Sequence, residues 1–80
     1  MEEKNLIRLA DEYAHCIEII NINISEVLDA LSAARKQRRY ALVSKLNSNL
    51  ATLYRQRTEL SVIEKHLRNY YKIREVDEAV

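Results

Sequence analysis

An all-α fold of two long helices is what this sequence predicts, on three observations. The 80 residues contain no glycine and no proline. Their apolar positions recur in steps of three and four over two long segments. Between those segments lies Arg35-Lys36-Gln37-Arg38-Arg39, five residues without an apolar side chain. Tight turns, strand bulges and hairpin tips draw on glycine for positive φ or close backbone approach, so its absence disfavours a sheet. Dinucleotide-binding and P-loop fingerprints are excluded, because neither can be written without glycine.

The first helix is expected over about 3–35. At about 100° per residue, Leu6, Leu9, Ala10, Tyr13, Cys16, Ile17, Ile20, Ile24, Val27, Leu28 and Leu31 fall on one wide apolar face, with Asp11, His15, Glu18, Glu26 and Asp29 opposite. The weak point is residues 21–25, where Asn23 followed by Glu26 resembles the start of a new helix. A three-helix bundle broken there is the alternative architecture.

The second helix is expected over about 40–74, carried by Val43, Leu46, Leu50, Leu53, Leu60, Ile63, Leu67 and Tyr70. Two steps of three, from Arg57 to Leu60 and on to Ile63, make this stripe drift around the helix, which predicts a local change in winding. The polar segment 35–39 is short, and short connections favour antiparallel neighbours. Nothing in 35–39 forbids helical dihedrals, so one uninterrupted helix is a second alternative. The whole chain, 1–80, reads as one domain.

Charge is divided along the chain. Residues 1–34 hold seven acids against two bases, a net −5, and residues 35–80 hold eleven bases against five acids, a net +6. Opposite halves favour lying side by side, and each carries a field able to steer a charged partner. The single Cys16 has no intramolecular disulfide partner, which fits a reducing compartment. With no apolar leader behind Glu2, Glu3 and Lys4, and no charge-free run approaching the ~20 residues that span a bilayer, the expected location is cytoplasmic.

Catalysis is not expected, and neither is a cofactor or a metal. His15 and Cys16 are neighbours, but adjacent helical residues point about 100° apart and cannot work as a pair. The plain reading is a small buried thiol beside a surface histidine paired with Asp11. With His66 added, no ligand set has zinc spacing.

Two helices alone cover only one side of each other. Ile7, Ile19, Ile22, Tyr54, Val62, Ile73 and Val76 sit off the main stripes. Together they predict a second buried seam, formed by dimerisation or by clasping a partner helix. The expected function is therefore a non-enzymatic interaction module: an adaptor, a small helical chaperone or an inhibitor of a larger protein. Candidate contact residues are Ile19, Ile22, Tyr54, Val62, Tyr71 and Ile73. All five aromatics are tyrosines. A ring with a polar tip suits a surface that is wet when free and buried in a complex. Core packing accounts for Tyr13 and Tyr70, leaving Tyr54 and Tyr71 for a partner. Arg57 interrupts the second stripe, and folding the chain about Gln37 or Arg38 predicts an ion pair with Glu18 that sets register.

The rival class is a nucleic-acid binder, with Arg35, Lys36, Arg38, Arg39 and Lys45 attracting phosphates by counterion release and Tyr40 stacking on a base. In length and helical pattern the chain is similar to the short helical-hairpin co-chaperones of bacterial type III secretion needle subunits. It is similar in the same way to a small plasmid RNA-binding hairpin that dimerises into a four-helix bundle. The first resemblance implies a protein partner and the second an RNA.

Overall fold

The computed structural model describes the backbone of residues 2–79 and the side chains of residues 5–70. It contains two helices, α1 (Glu2–Lys36) and α2 (Tyr40–Ala79), packed as an antiparallel hairpin. At ~1.5 Å per residue the 35 and 40 residues of α1 and α2 span about 52 and 60 Å, which matches a particle of 62 × 16 × 13 Å. Cross-helix bonds from Arg57 to Asn21 and from Arg68 to Asp11 fix the antiparallel register, the paired numbers summing to 78 and 79.

The chain reverses at residues 37–39 through a helix stop built without glycine. Arg38 takes φ 56°. Its N–H donates to the carbonyl of Arg35 at 3.1 Å, and the N–H of Arg39 donates to the carbonyl of Ala34 at 3.0 Å. This is the Schellman pair of bonds, which satisfies carbonyls left orphaned at a helix end. A residue with a Cβ is strained in that left-handed region. The Arg39 carbonyl then accepts from the N–H of Val43 at 3.0 Å and opens α2.

Neither alternative architecture is adopted. Residues 21–25 stay inside α1 because Ile20 and Ile24 are needed in the contact between helices. Burying one such side chain is worth about 1.5–3 kcal/mol, against roughly 1 kcal/mol for a capping residue. α2 runs on to Ala79, beyond the expected end near 74.

The seam is narrower than the sequence stripes. On α1 the residues withdrawn from solvent are Leu6, Ala10, Tyr13, Ile17, Ile20, Ile24, Val27, Leu31 and Ala34, in steps that alternate four and three without a break, with Ala14 half-buried beside them. On α2 they are Val43, Leu46, Leu50, Leu53, Arg57, Leu60, Glu64 and Leu67, again alternating three and four, with Leu42 and Ser61 half-buried beside them. This is the 3.5-residue repeat of a left-handed coiled coil. Leu9, Cys16 and Leu28, expected on the covered face, are exposed, and so are Ile63 and Tyr70. The expected change in winding after Arg57 does not occur. The seam passes through Glu64 instead of Ile63, and Glu64 is held there by accepting a 2.8 Å hydrogen bond from Arg68 Nε.

Two stability measurements check this description. Arg38→Gly, which removes the Cβ at the left-handed position, is expected to stabilise the fold by about 1 kcal/mol in urea unfolding, net of glycine's entropy in the unfolded chain. Ile24→Ala, at a seam position only 5% exposed, is expected to cost about 2–5 kcal/mol.

Candidate interaction surface

An antiparallel coiled-coil pair has two flanks, one on each side of the seam. Here they differ in chemistry. The first is closed by polar contacts. Arg57 occupies a seam position, donates from Nη1 to Asn21 Oδ1 at 3.0 Å, and stacks its guanidinium 5.0 Å from the centre of the Tyr54 ring. The expected Arg57–Glu18 pair is not formed. Asn21 lies one turn nearer the turn of the hairpin and intercepts the guanidinium, while Glu18 meets His15 Nδ1 at 3.8 Å. The expected His15–Asp11 pair fails as well, because Asp11 accepts from Arg68 Nη2 at 3.0 Å across the helices.

Arg68 thus bridges Glu64 on its own helix and Asp11 on the other. The hydrogen bond it donates to Glu64 first, and that to Asp11 second, raise its pKa above the ordinary arginine value. The guanidinium accordingly stays charged through any pH at which the protein is handled. Because the group is open to solvent, salt screens its ion pairs.

The second flank carries Leu9, Cys16, Asn23 and Ala30 from α1 beside Leu42, Asn49, Gln56, Ile63 and Tyr70 from α2, by their common place in the repeat. Its middle is polar: Asn23, Asn49, Thr52 and Gln56 line a shallow depression over Val27 and Leu53. Toward the open end of the hairpin it becomes apolar. Leu6, Val62, Ile63, His66, Leu67 and Tyr70 surround an open groove of about 630 Å³. Among the described residues no cross-helix hydrogen bond or ion pair closes this flank.

Four of the residues predicted for partner contact are exposed: Ile19, Ile22, Tyr54 and Val62. They do not form one surface. Val62 edges the apolar groove and Ile19 lies on the same flank, whereas Ile22 is on the outer back of α1 and Tyr54 lies under Arg57 on the polar flank. The side chains of Tyr71 and Ile73 lie outside the described residues. Tyr70, expected in the core, is 51% exposed and is a groove residue. Leu6, Ile63, His66, Leu67 and Tyr70 were missed as a set. Counting the 3.5-residue repeat strictly, so that Ile63 falls beside the seam and not in it, is the signal that finds them.

The residues of the alternative basic site lie at the turn of the hairpin and just after it. Arg35, Lys36, Arg38 and Arg39 are all exposed, none forms an ion pair among the described residues, and Lys45 follows in the second turn of α2. Arg35 and Lys36 complement the negative end of the α1 dipole. The first turn of α2 holds no acid, so the positive end of its dipole adds to the cationic field.

Among the described residues no group of three or more His, Cys, Asp or Glu comes together to hold a metal ion, and no helix is long and apolar enough to cross a membrane. The class that the fold defines is the antiparallel helical hairpin. Comparison with protein-family models, curated proteins and solved structures finds no match for this chain.

Arg57→Leu is expected to raise stability by about 1 kcal/mol, since it continues a half-buried apolar seam at the expense of a solvent-accessible hydrogen bond. Thermal unfolding of the variant beside the parent measures this, and a lowered midpoint would show the Asn21 bond to outweigh apolar packing.

Proposed function

We propose that this chain is a non-enzymatic protein–protein interaction module, of the adaptor, small helical chaperone or inhibitor kind, that binds through the apolar end of its open flank. One observation carries the reading. The hairpin buries only Ala10, Ile24, Leu31, Ala34 and Leu50 among its described apolar residues, while Ile7, Leu9, Ile19, Ile22, Leu28, Val62 and Ile63 are each at least 40% exposed. Exposed apolar side chains occur singly on any protein. A groove lined by Val62 and Ile63 with Leu6, Leu67 and Tyr70, on a flank with no polar closure among the described residues, is the form taken by helix-binding surfaces. Arg57, Asn21, Arg68 and Asp11 tie the opposite flank and so direct association to this one.

A hydrophobic-surface dye tests the reading at concentrations where the chain is monomeric, because its fluorescence should rise when it enters the uncovered groove. Ile63→Lys and Val62→Lys should each remove most of that response while leaving the helical circular dichroism in place. Absence of any dye response from a monomeric parent protein would remove the basis of the proposal.

A second reading rests on the four unpaired cations at the turn and the uncapped start of α2. On that reading a labelled oligonucleotide binds with an affinity that falls steeply as salt rises. The double change Arg38→Glu and Arg39→Glu abolishes that binding, and Ile63→Lys leaves it intact.

A further inference from the structure

The occupant of the open flank can be named from surface area and charge. The chain exposes 6384 Å² of accessible surface. A compact monomer of its 9.4 kDa mass exposes about 5,000 Å², so the hairpin carries roughly 1,400 Å² in excess. Two chains that covered this excess against each other would bury about 2,800 Å² in total, within the roughly 2,000–5,000 Å² of obligate homodimers. A peptide seated in the apolar groove alone would cover a fraction of it.

We infer that a second copy of this chain occupies the flank, side by side, with both turns at the same end and α1 of each copy against α2 of the other. The inference rests on the interaction reading above and names its partner. Two arrangements bring the flank against itself, and they differ in what faces what. Placed side by side about a two-fold axis along the hairpin, the acidic α1 of each copy, net −3, meets the basic α2 of the other, net +2. In the register of the flank Leu9 then faces Tyr70 of the second copy and Cys16 faces Ile63. In the polar middle Asn23 faces Gln56 of the second copy, amide to amide.

Placed end for end, α1 meets α1 and α2 meets α2, so −3 faces −3 and +2 faces +2. Like charges set against each other disfavour that arrangement. An overlap confined to the two open ends avoids the polar middle, but it covers only about half of the 62 Å length and leaves much of the excess surface exposed. Side-by-side packing does bring the two basic turns together. They are exposed, and salt screens them over about 8–10 Å.

Sedimentation velocity of the full chain under reducing conditions, from 1 to 100 µM, tests the stoichiometry. The expected particle has twice the 9.4 kDa chain mass. The double change Leu9→Lys and Ile63→Lys should shift it to the monomer, and Ile22→Lys, on the outer back of α1, should leave the dimer in place. Because the double variant can fail by unfolding, the arrangement is read separately on a folded protein. In Cys16→Ser carrying Gln37→Cys, a nitroxide at each turn should report an intermolecular distance below about 30 Å. End-for-end packing would put the turns a full helix length apart, ~50 Å or more at ~1.5 Å per residue. That long distance, or a monomer at every concentration, overturns the inference. A monomer that still binds the dye at Ile63 leaves the interaction reading standing with a different partner, and one that binds no dye removes both.

Discussion

A seam one residue wide holds this protein together. Each helix presents a line of side chains spaced alternately three and four apart, and the two lines meet over nearly the whole length of α1. In a globular bundle each helix buries a stripe on several neighbours at once. Here each has one neighbour, so a core position is shielded on the side that faces the other helix and open on both flanks. For this reason the residues withdrawn most fully are the small Ala10 and Ala34 and, in the half of the hairpin nearer the turn, Ile24, Leu31 and Leu50, while Leu6, Leu53, Leu60 and Leu67 are only half-buried.

The two flanks answer that constraint differently. On one, Arg57 takes a position the repeat reserves for an apolar side chain, and its guanidinium is satisfied by Asn21 and by the face of Tyr54. Arg68 supplies the second tie, from Glu64 to Asp11. Each contact is solvent-accessible and worth little in isolation. In the register adopted, Arg57 reaches Asn21 and Arg68 reaches Asp11, so both ties are made at once. The other flank has no such tie and exposes apolar side chains in the same half of the hairpin. Exposed apolar side chains remain on the tied flank too, at Ile7 and Leu28, but the groove of Val62, Ile63 and Tyr70 lies on the other.

The turn shows the same interplay of sequence and context. Five polar residues end both apolar stripes, and Arg38 accepts a left-handed conformation that glycine would take without strain. The cations of 35–39 suit the end of α1 and oppose the start of α2. The polar run therefore places the reversal and the Schellman bonds close it, while the packing of the long helices holds Arg38 in its left-handed conformation.

Helicity, the number of helices, the place of the reversal and the division of charge were all legible in the residues themselves. Missing glycine and proline, 3–4 periodicity and an unbroken polar run are properties of local sequence. The allocation of apolar side chains between seam and flank was not legible. The first helix has a stripe wide enough to include Leu9, Cys16 and Leu28, and only the line along which α2 touches it decides that these three stay outside. The second helix offers both Ile63 and Glu64 for one position. Hydrophobicity alone selects Ile63, yet the coiled-coil repeat and the Arg68 bond place Glu64 there and leave Ile63 on the open flank. Arg57 likewise has acceptors within reach at two levels of α1, and the register of the packed helices, which no local pattern encodes, gives it Asn21. Local sequence determined that two amphipathic rods would form and fold back on each other. Their contact geometry alone decided which apolar residues were left uncovered, because a cylinder touched along one line must expose the rest of its stripe.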